Sequence, residues 1–232
     1  MYFYAARQPI LDRNKELIGY ELLFRDGVDN VFPNIDGDEA TSRLIEGSQF
    51  NFGLEDLTDN KPAYINFTLD TLLKGYPTLL NKDGVVIEIL ETVQPGKRLL
   101  AIVKDLKEKG YTLALDDYAH QPVWRHFYPF IDIIKIDFLK CDIEIVKALI
   151  EDLKPYPHIK LLAEKVETYE LYNQAFELGF EYFHEPACRT TADFFSGRMR
   201  IRGRYSWWAI WWTSWHDDDH RLRYLNGFAR AE

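Results

Sequence analysis

Short apolar runs of strand length recur along this chain, and most are closed by a residue that such runs do not ordinarily carry. The runs span residues 3–10, 18–24, 63–67, 85–90, 112–115, 131–136, 160–163 and 181–183. Amphipathic stretches lie between most of them, at 39–52, 97–109, 142–153 and 168–178, with apolar residues at helical spacing. Thr168 is an N-cap candidate, Gly110 and Gly179 are placed as terminators, and Pro155 is a stop. Strands buried on both faces and joined by helical crossovers make a parallel sheet. Eight of them in series predict an α/β fold, a (β/α)8 TIM-type barrel. The turn Asp12-Arg13-Asn14-Lys15 is too short for a crossover, so the first strand is expected to run antiparallel to the second.

The closing residues are the unusual part. Glu21 interrupts the second run, Asn66 stands near the end of the third, and Glu88 lies inside the fourth. Asp116 and Asp117 end the fifth, Lys135 and Asp137 the sixth, and Glu164 follows the seventh. From Glu21 through Asn66, Glu88, Asp116, Lys135 and Glu164 the gaps are 45, 22, 28, 19 and 29 residues, most of them the length of one βα unit. Such positions project from the C-terminal rim of a barrel, where active sites of that fold are built. Oxygen donors converging there suit Mg2+ or Mn2+ better than Zn2+. Several carboxylates and one amide suffice for two metals holding a water against a phosphate ester. Taken singly, Glu88 also fits an edge-strand charge, Glu164 a solvated acid at a helix start, and Asp137 a helix cap. Lys135, inside Ile-Ile-Lys-Ile-Asp, is harder to read that way, because a buried ammonium needs carboxylate partners.

Charge bounds the partners. The chain has 28 Lys and Arg against 37 Asp and Glu, net −9, so a nucleic-acid polymer or an anionic membrane is repelled on average. Cys141 and Cys188 make no disulfide framework, no charged-then-apolar leader opens the chain, and no apolar run is long enough to cross a membrane. A cytoplasmic location with no transmembrane segment is expected. The averages hide a break, however. Residues 1–185 hold 14 Lys, 6 Arg and 32 acids, whereas residues 186–232 hold no Lys, 8 Arg and 5 acids, with Trp207, Trp208, Trp211, Trp212 and Trp215. A barrel's last helix asks instead for Leu, Ala, Lys and Glu at helical spacing. Residues 1–185 therefore read as the barrel domain and 186–232 as an atypical Arg/Trp-rich tail. That tail is a separate domain, an appended segment, or a stretch out of the original reading frame that packs poorly on the barrel. His216 and His220 have the spacing to share a metal on a helix, although an exposed polar turn is the plainer reading.

The body resembles the EAL domain, the cyclic di-GMP phosphodiesterase family of bacterial signalling proteins. Glu21-Leu22-Leu23-Phe24-Arg25 stands for E-A-L-x-R, Ile65-Asn66-Phe67-Thr68 for the N-x-S/T strand, and Glu88-Ile89-Leu90-Glu91 for E-x-x-E. Asp116-Asp117-Tyr118 resembles D-D-F, Ile134-Lys135-Ile136-Asp137 is I-K-I-D, and Ala163-Glu164-Lys165-Val166-Glu167 resembles A-E-G-V-E. Gln8-Pro9-Ile10 resembles the opening strand, and the wording is closest to EAL domains joined to an HDOD domain. The resemblance implies that Glu21, Asn66, Glu88, Asp116 and Asp117, with Glu164, hold two Mg2+ or Mn2+ ions. It implies that Lys135 orients or deprotonates a water or offsets charge, and that Arg25 and Gln8 meet the nucleotide. Glu91 would hold the loop after the fifth strand. The implied reaction is hydrolysis of cyclic di-GMP to linear pGpG, with a homodimer as the implied assembly. Three departures bear on catalysis: Leu22 for Ala, Tyr118-Ala119-His120-Gln121-Pro122 for a Gly-rich loop, and Phe183-His184-Glu185-Pro186 for a Gln-Gly-Tyr motif. A degenerate domain that binds cyclic di-GMP, or only a partner protein, is the alternative.

Overall fold

Eight strands close a barrel in chain order: β1 (Tyr4–Asp12), β2 (Leu17–Arg25), β3 (Ala63–Phe67), β4 (Val85–Ile89), β5 (Thr112–Leu115), β6 (Ile133–Asp137), β7 (Lys160–Glu164) and β8 (Tyr182–His184). The computed structural model describes residues 4–25, 54–166 and 168–184. The expected helix at 39–52, the tail at 186–232 and its tryptophans lie outside the described residues.

The first strand runs antiparallel to both its neighbours, and all other pairs are parallel. Its hairpin to β2 is tight because Asp12 Oδ1 accepts from the backbone N–H groups of Asn14 and Glu16, both at 2.8 Å. The last strand has three residues, and these are enough for closure: Asp12, Leu11 and Ile10 of β1 pair with Tyr182, Phe183 and His184.

Helices α1 (Leu54–Leu57), α2 (Leu69–Leu73), α3 (Lys97–Glu108), α4 (Ile143–Leu153) and α5 (Tyr169–Glu177) line the outside. Thr68, Asp142 and Thr168 cap α2, α4 and α5 by accepting from backbone N–H groups in the first turn. Gly110 (φ 88°) and Gly179 (φ 93°) terminate α3 and α5 in the left-handed region, and the next N–H reaches back to Leu106 and Ala175. The expected regular alternation is incomplete. Between β5 and β6 the chain makes two 3-10 turns, Pro122–His126 and Tyr128–Phe130, instead of an α-helix. Pro122 opens the first turn and Pro129, which has no N–H to donate, prevents it from continuing as a longer helix, and Trp124, Phe127 and Tyr128 bury their rings in place of a helix face.

Two apolar cores result. The larger lies between strands and helices and includes Ile65, Phe67, Ile87, Leu99, Leu113, Leu149 and Phe183. The smaller fills the barrel interior: Ile10, Tyr64, Val86, Ala114, Ile133 and Leu162. Gly19 leaves space for this layer, since a Cβ there would stand 2.7 Å from the Tyr64 ring and 2.8 Å from the Pro62 carbonyl.

Candidate metal centre

The interior floor determines what stands above it. Strand side chains alternate faces with a period of two, so the residue two positions past each floor residue also faces inward, one layer nearer the mouth. Tyr64 is followed by Asn66, Val86 by Glu88, Ala114 by Asp116, Ile133 by Lys135, Leu162 by Glu164 and Tyr182 by His184. On β1, which runs the other way, Gln8 precedes Ile10 by two and lies opposite Glu21 across the hairpin. The apolar plug thus lifts a ring of polar side chains to the C-terminal end of the parallel strands.

Lys135 stands at the centre and is fully buried. Its Nζ lies 2.7 Å from Asp116 Oδ1, 2.8 Å from Glu88 Oε1, 2.9 Å from Glu164 Oε1 and 3.4 Å from Glu21 Oε2. Four carboxylates from four strands therefore surround one ammonium. Asn66 aligns with Glu88 across the β3–β4 ladder. Asp117 sits beside the ring with a left-handed backbone (φ 38°), its Oδ2 accepting from Lys140 Nζ at 2.9 Å. Lys165 Nζ donates to Asp137 Oδ2 at 2.5 Å, on the same side.

The electrostatics are unbalanced. Burial pulls the Lys135 ammonium down, but Glu21, Glu88, Glu164 and Asp116 outweigh it and hold the pKa well above the ordinary lysine value. Glu21 is raised by burial, yet Lys135 and His184 bring it far below the usual carboxylate range. Burial lifts Glu88 well above that range despite Lys135, helped by the negative charges of Glu21 and Asp116. Burial likewise raises Glu164 to about 7 against the pull of Lys135 and His184. One ammonium faces four carboxylates, three of them buried, and burial favours the protonated form of Glu88 and Glu164. Glu88 Oε2 is buried with no hydrogen bond among the described residues.

Such a donor set fits a divalent cation, which supplies the missing positive charge in place of those protons. Two groups have one donor atom per residue mutually within 4.8 Å: Glu21, Glu164 and His184, and Asp116, Asp117 and Glu164. Glu164 belongs to both. A cleft of about 300 Å3 opens alongside, lined by Glu91, Asp116, Asp117, Tyr118, Gln121 and Trp124 among others. Glu91 is exposed in the turn after β4, and Arg25 ends β2 with its side chain outside the described residues. Glu164 is buried at the end of β7, not a solvated acid.

His184 was not among the residues singled out as ligands, nor were Lys140 and Lys165. The first was legible, since it stands two residues beyond Tyr182 at the end of the last strand. The loop after β5 holds together without glycines. Tyr118 and Tyr128 share a hydroxyl hydrogen bond at 2.8 Å, and Asp152 of α4 accepts from His120 Nε2 (2.7 Å) and Arg125 Nε (2.9 Å).

The fold and site together define a mixed eight-stranded barrel whose C-terminal mouth gathers acids around one buried lysine, Lys135. No family model matches the chain. Over 204 residues it is 38% identical to the cyclic di-GMP phosphodiesterase CdgJ of Vibrio cholerae, covering 87% of this chain and 46% of that protein. Over 188 residues it is 40% identical to the uncharacterised protein YuxH of Bacillus subtilis, covering 79% and 46%. Klebsiella pneumoniae BlrP1, solved with manganese and cyclic di-GMP, shares the fold at a TM-score of 0.62 and 23% identity, over 79% of this chain and 54% of that one. The chain belongs to the EAL-domain family. It spans about half the length of the curated relatives it matches.

Proposed function

We propose that this domain hydrolyses cyclic di-GMP to linear pGpG with two divalent ions, Mg2+ or Mn2+, in bacterial second-messenger signalling. The observation that carries the reading is the Lys135 ammonium within 3.4 Å of four carboxylates from four strands. Bound divalent ions supply Lewis-acid polarisation of the phosphoryl oxygens and a water of lowered pKa. Glu21, Asn66, Glu88, Asp116 and Asp117 hold them. Without metal, the carboxylate neighbours of Lys135 hold its pKa well above the ordinary lysine value. In the reaction Lys135 orients or deprotonates the attacking water, or offsets charge on the phosphate. Glu164, buried at the end of β7 and 2.9 Å from Lys135 Nζ, serves beside it as an acid–base group. Gln8, on the mouth-facing side of β1, and Arg25 contact the nucleotide, and Glu91 holds the loop after β5. Chromatography of cyclic di-GMP incubated with the protein and either ion tests this: pGpG appears, and a chelator stops it.

A second reading has its own support. The Tyr118–Tyr128 and His120–Asp152 contacts fix a loop that has no glycine. A domain with such a loop would bind cyclic di-GMP without turnover. Nucleotide binding with no pGpG under either ion would favour it.

A further inference from the structure

Asp152 stands in the last turn of α4, where the helix dipole disfavours a carboxylate, and that turn has no basic residue to offset it. Its partners come from the chain between β5 and β6. Oδ2 accepts from Arg125 Nε at 2.9 Å, Arg125 Nη2 at 2.5 Å and His120 Nε2 at 2.7 Å. Arg125 is half exposed, and such a pair adds little to stability by itself. What it does is geometric: it ties the chain to α4 at points three and eight residues beyond Asp117. Asp117 has a φ of 38°, in the left-handed region that a non-glycine residue keeps only where its surroundings fix it. The barrel fixes one side of it, since the N–H groups of Asp116 and Tyr118 donate to the carbonyls of Ile89 and Lys135, both at 3.0 Å. Among the described residues, the hydrogen bonds that tie residues 119–126 to a helix or strand go to Asp152.

We propose that Asp152 is a positioning residue: through Arg125 and His120 it fixes the loop that presents Asp117, and so sets the affinity of the divalent ion beside Asp117. The inference rests on the reading of the mouth as a two-ion centre. It goes beyond that reading by assigning the hold on one ion's ligand to a side chain of the outer helix layer, within the same chain. The ion on the Glu21 side does not depend on this hold, because Glu21 and Glu88 stand on strands that the loop does not join.

Mn2+ titration of the metal-stripped full chain, followed by calorimetry and EPR, tests it. The wild type is expected to take two ions and, once loaded, to show the broadened spectrum of neighbouring Mn2+ ions. Asp152→Asn keeps the shape of the acceptor and removes its charge. It is expected to weaken the second ion about tenfold, the lower end of the effect of disturbing residues that orient metal ligands. The first ion should change by no more than about twofold, as for a distant, independent site. At the Mn2+ concentration that loads the wild type, the variant should give the sharper spectrum of isolated ions. A general loosening of the fold would weaken both ions alike. Arg125→Gln, at an exposed position, is expected to repeat the selective loss and replaces Asp152→Asn should that variant not fold. Equal losses at both ions, or a second ion bound as tightly as in the wild type, overturn the inference and leave the two-ion centre standing. A wild type that takes fewer than two ions overturns both.

Discussion

Lys135 Nζ and Glu88 Oε1 meet at 2.8 Å, and neither side chain has any surface in contact with solvent. A pair of this kind is sustained by geometry, because each charge is costly alone. Removing the cation leaves the ionised acids of the cluster, Glu21 foremost, without their buried counter-charge. Lys135→Met is therefore expected to destabilise the metal-free protein by about 3–5 kcal/mol at pH 8, as for other broken buried pairs. Urea unfolding measures it, and the loss should shrink at pH 5.5, where the carboxylates take up protons. A loss under about 1 kcal/mol at pH 8 would mean that the cluster is not charged as described.

Glu164 gives a pH dependence with a definite sign. Burial raises its folded pKa to about 7, above the unfolded value of about 4.5. Its contribution to stability is complete below the unfolded value and is lost as pH rises through 7. The metal-free wild type should lose melting temperature relative to Glu164→Gln between pH 5 and pH 8. Mn2+ at pH 8 should restore it to the wild type, since metal binding displaces the proton. A wild-type minus variant difference that is flat with pH would contradict the assignment.

Much of this centre was legible in the sequence, for a physical reason. A strand buried on both faces cannot carry Glu88 or Lys135 without a partner, so each anomaly announced a site, and strand periodicity put them on one layer. The β5–β6 connection was less legible, because its aromatic and proline residues carry no helical or strand period. His184 was legible by position alone, two residues beyond a floor tyrosine, but three strand residues are a weak pattern. The roles of Gln8, Arg25 and Glu91 came from resemblance and not from physics. No local spacing rule brings Gln8 opposite Glu21; the hairpin register does.

Packing at the barrel floor gives a third test. A methyl group at Gly19 meets the Tyr64 ring and the Pro62 carbonyl at under 3 Å, and a backbone atom cannot swing aside as a flexible side chain can. Gly19→Ala is expected to cost about 1–3 kcal/mol, the range for overpacked cores. It should also weaken metal binding, because Tyr64 underlies the ring that holds Glu21. Denaturant unfolding and a Mn2+ titration on the same variant check both effects, and an unchanged midpoint would refute the contact.

The loop after β5 supplies a fourth. Asp152 is held below the usual carboxylate range first by its hydrogen bond from Arg125 and then by that from His120. A lowered folded pKa contributes stability above the unfolded value and loses it as pH falls through the folded one. Asp152→Asn should therefore lower the melting temperature at pH 7, and the gap to wild type should close below about pH 4. The group is partly exposed, so the gap is expected to be modest and reduced by salt. A gap that widens on acidification would exclude this anchoring.

The central claim is that the acids around Lys135 hold divalent cations. Anomalous diffraction at the manganese edge, from crystals grown with Mn2+, tests it most directly. The account predicts peaks at the barrel mouth within about 2.2 Å of oxygens of Glu21, Asn66, Glu88 and Asp116, with a second beside Asp117. A mouth without manganese at saturating concentration, with Lys135 still bound to all four carboxylates, would contradict it.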